Sequence, residues 1–176
     1  MNAVLTTRVY IIDDHPIVRA GLRELLRQSR YVAIVGEGDD GSSETLADIN
    51  ALDVNVAIVD IKLKVGNGID LCRAIKKENP NTAVILLSAF WDDALVRSAL
   101  DARADGYLLK DAEHFDLAKS IATVAQGESF FDPAISSAIM RHARGDVGHG
   151  IGAGISAEDA QILGLVAQGM TNKAIG

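Results

Sequence analysis

Cysteine is almost absent from this chain of 176 residues: Cys72 stands alone, which excludes an internal disulfide. Between Leu71 and Ile75 it reads as a small core residue on a helix rather than a reactive thiol. No run approaches the roughly 20 consecutive apolar residues of a membrane span. Met1 to Arg8 also lacks the charged start and apolar middle of a signal peptide. The expectation is a cytoplasmic protein with no membrane partner. Excess basic charge is missing as well. The formal net charge is −7, and neither residues 1–125 nor residues 126–176 are basic, which argues against a broad nucleic-acid surface.

What is present is apolar sequence in short runs. Apolar residues make up 48% of the chain, enough for a core, and the length suits one ordinary domain with a smaller appendage. The runs Val9–Ile12, Val54–Val59, Ala83–Leu87 and Tyr107–Leu109, with a further candidate at Val32–Val35, are β-branched and barely alternate. That pattern suits strands covered on both faces. Helical spacing follows at Val18, Leu22 and Leu25, at Leu71 and Ile75, and at Leu95, Val96, Ala99 and Leu100. A fifth helix is expected over 113–126, with Leu117, Ala118, Ile121 and Ala125 as its stripe. The fold class is therefore α/β, a doubly wound, five-stranded parallel sheet whose ligand crevice lies beyond the carboxyl ends of its strands.

Four polar signals fall at those ends: Asp13-Asp14 after the first run, Asp60 closing another, then Ser88 and Lys110. Carboxylates gathered in a crevice repel one another unless a cation neutralises them, and an all-oxygen set suits Mg²⁺ better than a transition metal. Asp13, Asp14 and Asp60 thus read as a hard-cation pocket. An aspartate beside such an ion can itself attack a phosphoryl group. Lys110 could neutralise the transferred group from the other side, and Ser88 could donate a hydrogen bond to one of its oxygens. Each residue alone has a plainer alternative: Asp13, Asp14 or Ser88 as helix caps, Lys110 as a solvated loop lysine. Four in order at four strand ends outweigh those alternatives. His15 invites a metal role by position, but an oxygen-rich Mg²⁺ site has little use for imidazole, and His114, His142 and His149 make no ligand spacing with it.

The segments Ile11-Ile12-Asp13-Asp14-His15-Pro16, Ile58-Val59-Asp60 with Gly68, Leu86-Leu87-Ser88-Ala89 and Asp105-Gly106-Tyr107-Leu108-Leu109-Lys110-Asp111 resemble the receiver domain of two-component response regulators. The likeness covers about residues 7–126. It implies Asp60 as the acceptor of phosphate from a sensor histidine kinase, with Lys110 and Ser88 assisting. It further implies Asp14 as a direct Mg²⁺ ligand, Asp13 as a ligand through water, and the Lys62 backbone carbonyl as a third contact. Ser88 and Tyr107 fall on the family's switch pair, so Tyr107 is expected to change rotamer on activation. The loop after Asp60 departs from the family pattern: Leu63 and Lys64 stand where Met-Pro is common, and losing proline should loosen residues 64–68. Lys62 and Lys64 either draw the phosphodonor or are solvated loop lysines.

The receiver is assigned residues 1–126. Residues 127–154 follow as a short helix opened by Pro133 and a glycine-rich linker. Residues 155–176, with Ser156 opening a capping box, resemble the start of a LuxR-type helix-turn-helix, which points to the NarL/FixJ group. The DNA-reading helix of that type falls after Gly176. DNA is therefore expected as a partner of a complete member and not of this truncated chain. The reading is a non-enzymatic, phosphorylation-controlled transcription regulator that homodimerises on activation. Two alternatives remain: a dimerising or phosphorylation-independent interaction protein, and an aspartyl-phosphate phosphatase of the haloacid-dehalogenase type. The latter wants a second carboxylate two residues after the nucleophile, where this chain has Lys62.

Overall fold

The structure, a computed structural model, describes residues 6–110 and 116–143. Within them, strands β1 (Thr7–Ile12), β2 (Val32–Gly38), β3 (Val56–Asp60), β4 (Ala83–Ser88) and β5 (Gly106–Leu109) alternate with helices α1 (Pro16–Arg27), α2 (Ser43–Ala51), α3 (Gly68–Glu78), α4 (Asp93–Asp101) and α5 (Leu117–Ala125). Strand β6 (Phe130–Phe131) and helix α6 (Pro133–Ala143) follow. Every neighbouring pair of strands is parallel, in the order β2-β1-β3-β4-β5-β6. The chain first winds outward from β1 to β2, then returns past β1 to β3. The reversal point, where such sheets open a crevice, lies between β1 and β3.

Strand periodicity sorts the apolar residues into two layers. Val9, Ile11, Val56, Ile58, Ile85 and Leu87 pack with Leu22 and Leu26 of α1 and with Leu117, Ile121 and Val124 of α5. Tyr10, Ile12, Ala57, Val59, Val84 and Leu86 meet Ile49 of α2, Leu71, Cys72 and Ile75 of α3, and Val96 and Ala99 of α4. Cys72 is buried, and burial pushes its thiol up to about 12, as befits a core residue.

Two features correct the expectations. The sheet has a sixth strand: β6 pairs Phe130 with Gly106 and Phe131 with Tyr107. Beyond it, Ile135 and Ile139 of α6 enter the same cluster as Tyr107, so residues past 126 help to close the core. Second, α1 buries Leu26 while Leu25 is 52% exposed, and α5 buries Ser120 and Val124 while Ala118 and Ala125 face solvent. The loop after Asp60 makes several contacts of its own. Gly41 N–H donates to the Val65 carbonyl at 2.9 Å, Leu63 packs on the core, and the Asn67 side chain caps α3. Gly68 is required there, because a β-carbon would overlap the Asp60 carbonyl. The expected linker and helix-turn-helix, residues 144–176, lie outside the described residues, as does Asp111.

Candidate functional site

Apolar residues carry β1, β3 and β4 through the sheet up to the residue where each strand leaves it, and the polar residues begin there. Asp13 and Asp14 sit just past β1, Asp60 ends β3, Ser88 ends β4 and Lys110 follows β5. Lys110 N–H bonds the Ser88 carbonyl at 2.8 Å, which aims its side chain across the crevice. The ammonium lies 2.6 Å from Asp13 Oδ2 and 3.3 Å from Asp60 Oδ1. Residues from four sequence segments thus meet at one point.

The acids are deeply placed. Asp13 is fully buried, and Asp60 and Asp14 nearly so. Asp13, Asp14, His15 and Asp60 can each offer a ligand atom with all of these atoms within 4.8 Å of one another. Burial raises the Asp60 carboxyl above the ordinary carboxylate range, and the Asp13 charge adds to this. Lys110 and the Lys62 backbone N–H oppose it. Asp14 Oδ1 is a buried oxygen with no hydrogen-bond donor. His15 Nδ1 lies 2.8 Å away but out of line for a hydrogen bond. Three carboxylates, one lysine and an unsatisfied oxygen fit a small oxygen-seeking cation.

The plainer roles do not describe these residues. The N-cap of α1 is His15, and Asp13 Oδ1 accepts the His15 N–H at 2.8 Å in the preceding turn. Asp92, not Ser88, caps α4. Lys110 is held inside the acid cluster. His15, set aside on the sequence, comes to the cluster's edge with 58% of its side chain exposed.

Ser88 is buried, and its hydroxyl accepts the Phe90 N–H at 3.3 Å. Tyr107 is turned fully inward, its hydroxyl donating to the Phe90 carbonyl at 3.2 Å. Burial pushes the Tyr107 phenol above its ordinary value, while a hydrogen bond with Ser88 opposes the shift. Ser88, Phe90 and Tyr107 therefore form one connected patch. Two basic side chains make contacts that the sequence did not show. Lys62 is exposed, and its ammonium stands 4.4 Å over the Phe90 ring. Arg19 reaches from α1 to the Asp13 carbonyl. A basic residue on the first helix after two acids was the available signal for the second.

Residues 9–122 match the response regulator receiver domain family. The chain is 34% identical to the DNA-binding transcriptional activator DevR/DosR of Mycobacterium tuberculosis, over 96% of this chain and 77% of that protein. It resembles the isolated receiver domain of RcsB from Salmonella enterica serovar Typhimurium, solved in the presence of the phosphomimetic BeF3-. There the TM-score is 0.68 and the identity 33%, covering 75% of this chain and 97% of that one. A structure of two RcsB dimers bound to two parallel DNAs gives a TM-score of 0.72 at 30% identity, over 94% of this chain and 78% of that one. The parallel sheet, the acid cluster at its carboxyl edge and these likenesses converge: the chain belongs to the two-component response regulators of the NarL/FixJ group and carries their receiver domain.

Proposed function

We propose that Asp60 is the phosphoacceptor of this response regulator and that Asp13, Asp14, Asp60 and the Lys62 carbonyl hold Mg²⁺. The observation that carries this is the shared lysine: one ammonium spans Asp13 and Asp60 while a buried Asp14 oxygen lacks a donor. An Asp60 carboxylate oxygen attacks phosphorus, and the bond from phosphorus to the donor nitrogen or oxygen breaks, leaving its electron pair on the donor. Mg²⁺, when bound, neutralises the phosphoryl oxygens. Lys110 moves from the acids to a phosphoryl oxygen, and the Ser88 hydroxyl turns from Phe90 toward another. Hydrolysis of the acyl phosphate resets the site, so the protein acts as a switch and not as a metabolic enzyme.

The phosphodonor is a sensor histidine kinase, and the phosphorylated form dimerises. The RcsB dimers on DNA support both dimerisation and a transcriptional output. Ser88 and Tyr107 relay occupancy of Asp60 to the β4–α4 loop through Phe90, to which both are bonded. Among the described residues no helix is long and apolar enough to cross a membrane. The test is the intact mass after incubation with Mg²⁺ and acetyl phosphate. The wild type should gain one phosphate that Asp60→Asn does not; an adduct retained by Asp60→Asn would move the acceptor elsewhere.

A further inference from the structure

The first turns of α1 carry a contact that the phosphoacceptor chemistry does not use. Arg19 donates from its guanidinium to the Asp13 carbonyl. The same guanidinium lies 3.4 Å, through Nε, from Glu37 Oε2 near the end of β2. Glu37 is itself gripped by Arg23 at 2.9 and 3.1 Å. On the other side of Asp13, its N–H donates to the Gly38 carbonyl at 3.2 Å. Both main-chain polar groups of Asp13 are thus fastened to the end of β2, one directly and one through Arg19.

The carbonyl in question belongs to the peptide that joins Asp13 to Asp14. A peptide is planar, so pinning its oxygen fixes ψ of Asp13 and φ of Asp14 together, and with them the directions in which both carboxylates leave the chain. Those carboxylates have reason to part. Two like charges stand beside Asp60 with one lysine among them, and Asp14 carries a buried oxygen that no donor satisfies. Lysine could not do what Arg19 does, because spanning a carbonyl and a carboxylate at once needs the planar fork.

We propose that Arg19, steadied by Glu37, is a positioning residue that holds Asp13 and Asp14 in the convergent arrangement Mg²⁺ requires. This rests on the reading of that pair as Mg²⁺ ligands. Arg19 need not touch the ion, and its effect is on affinity rather than on phosphoryl transfer once the ion is bound.

The test is calorimetric titration of MgCl₂ into the wild type and into Arg19→Gln, Arg19→Lys and Arg23→Gln at constant ionic strength, with circular dichroism to check each fold. Arg19→Gln should weaken Mg²⁺ binding by about 10-fold or more, the scale on which outer partners of metal ligands act. Arg19→Lys should keep the charge yet lose part of that affinity. Arg23→Gln removes the other half of the Glu37 grip without touching Asp13, and should bind as the wild type does. With acetyl phosphate, Arg19→Gln should need more Mg²⁺ for half-maximal phosphorylation yet approach the wild-type rate at saturation. Unchanged affinity in Arg19→Lys and Arg19→Gln overturns the proposal. Equal weakening in Arg19→Gln and Arg23→Gln also overturns it, by reducing the contact to a general tether of α1. A wild type that binds no Mg²⁺ instead overturns the metal reading of the site itself.

Discussion

Two buried lysine–aspartate pairs stand at opposite ends of the sheet, and their surroundings differ. At the amino end of β5, Asp105 pairs with Lys76 and also accepts the Val84 N–H at 2.7 Å, while Lys76 donates in addition to the Thr82 carbonyl at 2.9 Å. One cation meets one anion, and each has a further partner. At the carboxyl end, Lys110 is shared by Asp13 and Asp60, Asp14 adds a third carboxylate, and one of its oxygens has no donor. Breaking the matched pair strands a buried charge, so that pair holds structure. The mismatched cluster carries unmet negative charge at the edge where doubly wound folds bind ligands. The lesson is that charge balance, not burial, separates the two: a site able to take a cation and a phosphoryl group is left short of positive charge in the folded protein.

Breaking the matched pair should have the largest effect on stability. Asp105→Ala leaves Lys76, with only 12% of its side chain exposed, facing an emptied site. It also removes the acceptor for the Val84 N–H. The expected cost is about 3 kcal/mol, or a melting temperature lower by roughly 10 °C for a chain of this size. Lys76→Met in the Asp105→Ala background should recover part of the loss, since no charge then remains unpaired. A double variant as unstable as the single one would show that the cost came from the other bonds of Asp105, that to the Val84 N–H among them.

Removing a charge from the mismatched cluster should act in the opposite direction. Burial raises the Asp60 carboxyl above its free value of 3.8, so the native state holds its proton more tightly than the unfolded chain does. That preference favours folding below pH 3.8 and is lost as pH rises through the elevated native value. At neutral pH the ionised Asp60 therefore burdens the fold. In the presence of a chelator, Asp60→Asn should melt above the wild type, by about 1 kcal/mol, the scale seen when a strained functional group is relieved. The difference should shrink as the pH is lowered toward 3.8. Adding Mg²⁺ should raise the wild type more than the variant, because ligand binding to the native state adds stability. Melting curves across pH with and without Mg²⁺ decide this; a variant less stable than the wild type at neutral pH would remove the mismatch from the comparison.

The cluster was legible from sequence because parallel strands end abruptly. Val9–Ile12, Val56–Val59 and Ala83–Leu87 are apolar up to the residue where each leaves the sheet, and topology alone then brings Asp13, Asp14, Asp60, Ser88 and Lys110 to one edge. Features that depend on the path between distant elements were not legible. Phe130-Phe131 is too short to show a period, and only its pairing with β5 makes it a strand. Leu25 and Leu26 both satisfy helical spacing from Leu22, and the packing of α1 against the sheet decides for Leu26. The bond from Gly41 N–H to the Val65 carbonyl joins two loops far apart in sequence, and no local pattern announces it. Lys62 over Phe90 and Arg19 on Asp13 have the same origin.

A third acid–base pair sharpens the contrast at its weak end. Asp70 and Arg73 meet at 2.6 Å on the first turns of α3, closer than Lys110 comes to Asp60, yet their side chains are 73% and 47% exposed. Water screens such a pair, and ordering two long side chains offsets most of the attraction. Asp70 also stands where the amino end of the helix favours an acid, which adds only a few tenths of a kcal/mol. Asp70→Asn should therefore change stability by no more than about 0.5 kcal/mol, and that small change should fade at high salt. Denaturant midpoints for Asp70→Asn and Asp105→Ala at low and high salt give the comparison directly. If both fall by similar amounts, short ion-pair distance alone sets the cost. If only Asp105→Ala falls, the cost comes from burial of the groups that Asp105 satisfies, Lys76 and the Val84 N–H, and not from ion-pair distance.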